Sequence, residues 1–582
     1  MKKLLIIATV LLLGILCSCY NNDPSPVEPV LQDGEWTGSG EGRSGTIIVK
    51  ITVENHQITD VVVVSQSESS FAQDAINEIL ALALEKQAPL DKEVDAVSGA
   101  TLTSSGVIDA VNMAISAAMG QDIGQKTIYP DGTCDIVVVG AGGAGLSAAV
   151  EAASNGNLHI IVLEKQGILG GNTNYSTGGI NAADTDVQRA LGIEDSPDLF
   201  YDDTMNGGKQ KNIPSLVRSL AEHSAATIAW LSSLGADLSD VGLMGGSSVK
   251  RTHRPQGGAA IGPHLMKILK EASSKGDIEI RVSNKVLGLL SNNGTVTGVS
   301  VENADGSTYR LNAKAVVIAT GGFGANLPMV TSYQPSLAGF ATLNHPGATG
   351  DAFAWLEAVG GSTIQMEYIQ IHPTAEAENH ILITEAVRGN GAILVNHQGK
   401  RFVNEMETRD VVSAAILDQE KEEAFLIFDQ AVRQSLASIE TYANQHLMIE
   451  GEDAESLAAN TGLPSSTFCA TLAQYSSYQK TGIDEDFGRS STQMTAALDT
   501  PPYYAIRVTP AIHHTMGGIH VDADMHVLRS DDTPVPGLFA AGEVTGGVHG
   551  ANRLGGNGVA DIVVNGKIAG HGAALICKSS AE

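Results

Sequence analysis

Residues Cys134 to Glu164 read CDIVVVGAGGAGLSAAVEAASNGNLHIIVLE. Gly140, Gly142 and Gly145 stand at G-x-G-x-x-G spacing directly after the apolar run Ile136 to Val139. An acidic residue, Glu164, follows 24 positions after the first of them, at the end of a second apolar run, His159 to Leu163. That order of strand, glycines, helix, strand and acid is the chemistry of a dinucleotide site. Gly140 makes the tight turn and Gly142 lets a pyrophosphate reach the backbone at a helix N-terminus. Gly145 lets helix and strand pack closely, and Glu164 takes ribose hydroxyls. Gly143, Ala144 and Lys165 belong to the same expected contact set. A second phosphate-handling segment lies upstream. Asp95 to Val107 reads DAVSGATLTSSGV, in which Gly99 and Ala100 allow close approach to the backbone. The hydroxyls of Ser98, Thr101 and Thr103 can bond phosphate oxygens.

A different chemistry is concentrated in five short segments further on: Ile371-His372-Pro373-Thr374, Thr384 to Gly391 (TEAVRGNG), Thr408-Arg409-Asp410, His513 to Gly518 (HHTMGG) and Asn552 to Gly556 (NRLGG). The planar guanidinium of arginine matches a carboxylate bidentately, which an ammonium does not. Glu385 and Arg388, at i and i+3, can face each other on one helical turn, which suits either a proton relay or a structural ion pair. Such cations are notable in this chain, where 65 acidic residues face 35 basic ones and the net charge is -30. A balance of that sign repels phosphate backbones and argues against nucleic acid as a partner, so any anion site must be built locally. The five cysteines, at 17, 19, 134, 469 and 577, show neither CxxC nor CxxCH spacing, so no zinc site, no c-type haem and no disulfide framework is expected.

The core Asp95-x-x-Ser98-Gly99-Ala100-Thr101 resembles the acceptor motif of the FMN-binding domains of electron-transport subunits. The resemblance implies that a flavin transferase joins FMN to the Thr101 hydroxyl through a phosphodiester bond. Gly170-Gly171-Asn172-Thr173, Val316 to Gly322 (VVIATGG) and Val535 to Asn557 (VPGLFAAGEVTGGVHGANRLGGN) resemble flavin-contacting segments of the fumarate reductase and succinate dehydrogenase flavoprotein family. That likeness implies non-covalent FAD, held also by Gly171, Asn172, Thr173, Gly178, Gly179, Gly321, Gly322, Glu543 and Gly555.

The five His- and Arg-bearing segments are similar to those of soluble bacterial fumarate reductases, and the match runs from about Cys134 to Gly570. By that resemblance Arg553 and His513 bind one carboxylate of a small dicarboxylate, His372 and Thr384 bind the other, Arg409 protonates carbon, and Glu385 with Arg388 re-protonates Arg409. The doublet leaves open whether His513 or His514 meets the substrate. The haem-bearing members take electrons through c-type haems. With no CxxCH here, the resemblance implies a path from a membrane or extracellular donor to FMN, to FAD and to fumarate. Relatives of this family reduce urocanate, methacrylate or other 2-enoates, and L-aspartate oxidase shares the core motifs. A flavin electron carrier without turnover is the reading from another class.

The elements that must position these residues exceed one core, because single cores stop growing at roughly 250–300 residues and the chain has 582. Lys2, Lys3 and the apolar run Leu4 to Leu16 read as a signal peptide (1–18), too short to span a bilayer comfortably. Leu16-Cys17-Ser18-Cys19 resembles a bacterial lipobox, with Cys19 as the lipidated residue of an exported, membrane-anchored protein. The proline-bearing residues 19–32 read as a tether. Residues 33–120 form a small α+β FMN-binding unit. In it Thr46 to Val53 and Ile58 to Val64 make a hairpin around Glu54 to Gln57, Ala72 to Lys86 forms a helix on Ile76, Ile79, Leu80 and Leu84, and Val107 to Met119 forms a second helix. The rest is α/β: a Rossmann-like FAD-binding domain over 133–366 and 513–582, with an inserted α+β capping domain over 367–512.

Overall fold

In the small unit three antiparallel strands, Gly34–Glu41, Thr46–Glu54 and Gln57–Ser65, lie in that order in one sheet. A computed structural model describes residues 31–42, 46–66, 68, 72–90, 101–119 and 127–579. The signal segment, Cys19 and Asp95 to Ala100 of the proposed FMN-acceptor loop lie outside the described residues. The expected hairpin turns at Asn55 and His56, with φ of 52° and 64°, the left-handed pair that a two-residue hairpin loop demands. The first strand, which the alternation of apolar residues did not reveal, is glycine-bearing for a physical reason. A Cβ on Gly38 or Gly40 would stand 2.1 Å from the carbonyl oxygens of Ala110 or Gly106 in the covering helix Thr101–Ala118. That helix begins six residues before Val107, where the sequence reading started it. The other helix, Gln73–Lys86, buries Ile76, Ile79 and Ala83 but leaves Leu84 41% exposed. At 3.6 residues per turn position 83, not 84, returns to the face of Ile76. Leu31 also packs into this core, ahead of the unit's expected start.

The larger part is organised on a six-stranded sheet in the order Ile278–Arg281, Ile160–Leu163, Ile136–Val139, Ala315–Ile318, Pro534–Ala540 and His526–Leu528. The first five are parallel and the last is antiparallel. Three of the parallel strands, Ile136–Val139, Ile160–Leu163 and Ala315–Ile318, are near-continuous Val and Ile runs because helices cover both faces. The helix Gly143–Ser154 leaves the central strand and packs on the long C-terminal helix Asn557–Ser579. Contact is close enough that a Cβ on Gly566 or Gly570 would stand 2.6 or 2.1 Å from the carbonyls of Ala144 or Ala148.

A second hydrophobic core surrounds the sheet Ile369–Glu376, Tyr503–Thr515, Ala424–Asp429 and Ile393–Val395. The 13-residue strand Tyr503–Thr515 runs out of this core toward the parallel sheet and carries His513 and His514 at its end. Its partner Ile369–Glu376 carries His372.

Candidate active site

A cleft with about 1600 Å³ of open space lies where the C-terminal ends of the parallel strands meet this second sheet. Of the residues expected to contact a dinucleotide, Gly140, Gly142, Gly143, Ala144, Glu164, Lys165, Gly171, Asn172, Thr173, Gly178, Gly179, Gly321 and Glu543 line it. Gly145, Gly322 and Gly555 do not, and serve packing instead. A Cβ on Gly145 would meet the Gly140 carbonyl oxygen at 1.9 Å, one on Gly322 the Thr515 hydroxyl at 2.0 Å, and one on Gly555 the Glu385 carboxylate at 3.1 Å.

The cradle fits FAD on its own geometry. Gly171 (φ +50°) and Gly321 (φ +75°) have nothing within 4 Å of where a Cβ would sit, so both present bare backbone to open cleft. The helix Gly143–Ser154 begins at Gly142, which has no side chain to cap it; the Gly143 N–H donates to the Thr173 hydroxyl at 3.0 Å, and the N-terminal dipole faces a cleft suited to a pyrophosphate. Glu164 accepts the Ala141 and Gln166 N–H groups at 3.0 and 2.9 Å. Glu543 accepts the Thr515 N–H at 3.1 Å and the Asn172 amide at 3.2 Å. Burial pushes the carboxyls of both acids up. Lys165 is engaged by Asp351 and Thr349, at 2.9 and 2.6 Å, at the cleft wall.

At the other end stand His372, Thr384, Glu385, Arg409, His513, His514 and Arg553. The two adjacent histidines share the cleft through a β-bulge. Gln370 pairs with His514 but Ile371 pairs with Ile512, so His513 is the extra residue. A bulge re-aims a side chain that strict alternation would send to the opposite face. The His513 ring lies 5.1 Å from that of His372, whereas His514 packs at 5.2 Å on His549. Thus His513 joins the constellation of His372, and His514 forms the wall behind it.

Arg409 opens the helix Arg409–Leu417. Its Nε donates to Glu385 Oε2 at 2.8 Å and its Nη1 to Gln370 Oε1 at 3.1 Å. Gln370 is itself fixed, because its Nε2 donates to Asn552 Oδ1 and to the Arg553 carbonyl, both at 2.8 Å. Gln370 went unnoticed in the sequence, yet it sits two residues before His372 on one strand and so shares its face. Met244 and Gly245 were missed as well; Met244 lines the cleft and the Gly245 N–H donates to Glu385 Oε1. Arg388, fully buried and behind the cleft wall, brings Nη2 to 3.9 Å from Glu385 Oε2.

The electrostatics sort these groups by charge. Burial pushes the Glu385 carboxyl up, but the charges of Arg409 and Arg388 and the hydrogen bonds from Arg409 and the Gly245 N–H outweigh it and hold the group below the usual range, as the anion. Burial, then the neighbouring arginines, drive His372 and His513 far below the ordinary imidazole range, and burial with Arg553 does so for His514. All three rings are neutral hydrogen-bonding groups. The Arg553 guanidinium is pushed down to about 9, by burial first and by Arg409 second, and its Nε has no hydrogen-bond partner among the described residues. A buried cation with an idle donor is suited to capture an anion.

Comparison with known proteins agrees with this geometry. The FAD binding domain family matches residues 135–559 and the FMN-binding domain family residues 42–116. A fumarate reductase (cytochrome) of Shewanella frigidimarina is 46% identical over 452 residues, covering 78% of this chain and 79% of that protein. An NADH:fumarate oxidoreductase of Klebsiella pneumoniae (strain 342) is 40% identical over 95% of this chain, which spans 60% of that protein. The solved open conformation of a flavocytochrome c3 fumarate reductase is 41% identical, with a TM-score of 0.64, covering 77% of this chain and 79% of that one. Proteins named urocanate reductase and NADH:acrylate oxidoreductase are also among the relatives. The chain belongs to the fumarate reductase-type flavoproteins, FAD-dependent oxidoreductases acting on carbon–carbon double bonds, and carries an FMN-binding domain ahead of its FAD-binding domain.

Proposed function

We propose that this protein reduces a small 2-enoate dicarboxylate, fumarate, to succinate. The observation that carries the reading is that Arg553, His513, His372 and Thr384 line one end of the cleft together with Arg409, the His513 and His372 rings 5.1 Å apart. The glycine cradle with Glu164 and Glu543 would hold FAD, which when bound would supply the hydride. Arg553 and His513 bind one carboxylate while His372 and Thr384 bind and polarise the other, which fixes the alkene for attack.

Arg409 delivers a proton to the alkene carbon next to the one that receives hydride, so hydride plus proton convert fumarate to succinate. A guanidinium is an extreme acid to choose, being protonated at any ordinary pH. Glu385, a carboxylate hydrogen-bonded to its Nε, relays to it a proton that comes from Arg388, so that it carries that proton only in passing. Enoates with one carboxylate, such as urocanate or methacrylate, leave part of this set idle, and a mere electron carrier has no use for it. Anaerobic incubation of the flavin-loaded protein with a reduced one-electron dye and fumarate should yield one succinate for every two dye molecules oxidised. Dye oxidation without succinate would sink the proposal.

FMN joined covalently to Thr101 by a flavin transferase would supply electrons to FAD, a reading supported by the FMN-binding domain match and the SGAT motif. In Thr101→Ala, flavin fluorescence on a denaturing gel should vanish; a band of undiminished intensity would place the bond on another residue. The lipobox-like Cys19 supports an exported protein tethered to a membrane near its electron donor, since two or more acyl chains hold stably where one does not. Cys19→Ala should move the protein from the membrane to the soluble fraction, and unchanged partition would remove the anchor.

A further inference from the structure

Behind Arg388, away from the cleft, four charged side chains are buried together: Arg401, Glu405, Asp484 and Arg489. Their charges balance. Arg401 Nε and Nη2 donate to Glu405 at 2.8 and 2.9 Å, and its Nη2 and Nη1 donate to Asp484 at 3.0 and 3.3 Å. Arg489 Nη1 donates to Glu405 Oε2 at 3.1 Å. Removing four ions from water costs several kcal/mol per ion even after relaxation, and none of the four lines the cleft. What they hold in place is the end of the proton relay.

Arg388 has little else to fix it. Its Nη1 donates to the Glu405 backbone carbonyl at 2.6 Å, while its Nε and Nη2 have no hydrogen-bond partner among the described residues. The Glu405 carbonyl lies in an irregular loop, steadied because the same residue's carboxylate is clamped by Arg401 and Arg489. Arg489 acts a second time on the relay. Its Nη2 donates to the Arg388 carbonyl at 2.7 Å, Nη1 also to the Ala392 carbonyl at 3.0 Å, and Nε to the Gln493 carbonyl at 3.1 Å. At the end of the short helix Ala386–Gly389 the Arg388 carbonyl accepts the Gly391 N–H at 3.1 Å, and Arg489 is its second donor. One guanidinium therefore grips both the backbone of Arg388 and the residue that holds its side chain.

We infer that Arg489, acting through Glu405, is a positioning residue of the proton relay, one that sets the approach of Arg388 to Glu385 and thereby the rate at which Arg409 regains its proton. The inference rests on the reduction proposed above, with Arg409 as the acid.

The test compares wild type, Arg409→Ala, Arg489→Met and Arg489→Lys, each purified with flavin and assayed per bound FAD with a reduced dye and fumarate. Arg489→Met should lower kcat at least ~10-fold, within the range general acid–base steps command. Its KM should change less than about twofold, because it touches neither carboxylate clamp, and the solvent deuterium isotope effect on kcat should rise as re-protonation slows. Arg489→Lys should recover part of kcat, since it keeps the charge beside Glu405 but not the forked donors. A kcat for Arg489→Met within twofold of wild type, with Arg409→Ala inactive, overturns the inference and leaves the reduction chemistry standing. Free turnover by Arg409→Ala overturns both. Should Arg489→Met fail to accumulate with flavin, Arg489→Lys decides: a lowered kcat at unchanged KM supports positioning, and an unchanged kcat overturns it.

Discussion

Arg409→Ala should reduce fumarate at least ~10³-fold more slowly than the wild type while its FAD content stays the same. Two losses combine. A positioned general acid is worth about 10²–10⁴-fold, and the guanidinium also faces charge that develops on the substrate. No neighbour can substitute. Burial and the adjacent arginines keep His372 and His513 neutral, burial with Arg553 does so for His514, and Glu385 is held as the anion, so none has a proton to give as a cation or a carboxylic acid. Arg409→Lys should restore little, because an ammonium cannot span Glu385 and Gln370 together. Cofactor retention follows from the separation of roles, since the glycine cradle with Glu164 and Glu543 does not depend on Arg409. Steady-state rates with the flavin-to-protein absorbance ratio check both halves. A loss of activity that tracks a loss of flavin would mean that Arg409 is structural.

Arg553→Met should lower kcat/KM for fumarate by about 30- to 5000-fold, which is the roughly 2–5 kcal/mol lost on truncating one member of a buried charge pair. The same residue gives a pH signature. Its guanidinium is pushed down to about 9, by burial and then by Arg409. It is cationic below that pH and loses its charge as pH rises through it, so kcat/KM, which reports the free enzyme, should fall about tenfold per unit above the break. A bound carboxylate stabilises the cation, moving the break in kcat to higher pH. In Arg553→Met the alkaline limb of kcat/KM should disappear along with most of the affinity. A limb that persists in the variant would assign it to another group.

Much of this was legible in the residues. The glycine spacing, the flanking apolar runs and Glu164 fix a cradle by local chain geometry, which sequence records directly. Four of the five His- and Arg-bearing segments and Glu385 with Thr384 of the other announced the residues that line the far end of the cleft. What sequence hid was register and distance. The bulge at His513 depends on how two strands pair, so no period-two reading could decide between His513 and His514. Gln370 was overlooked because its amide acquires meaning only between Arg409 and Arg553, the latter 183 positions away. The Arg489 grip on Arg388 spans 101 positions, and no motif around Arg489 marks it in the sequence. In the small unit the strand Gly34–Glu41 was invisible because its glycines answer to the helix lying on them rather than to any alternation of apolar residues.

The most direct test is the specificity of the purified, flavin-loaded protein for fumarate, urocanate, methacrylate and acrylate, each offered anaerobically with a reduced viologen dye. A site with donors for two carboxylates leaves buried groups unpaired when one is missing, which costs at least ~10²-fold. Fumarate should therefore exceed each of the other three in kcat/KM by that factor. Preference for another enoate would contradict the assignment of the two carboxylate clamps to one dicarboxylate.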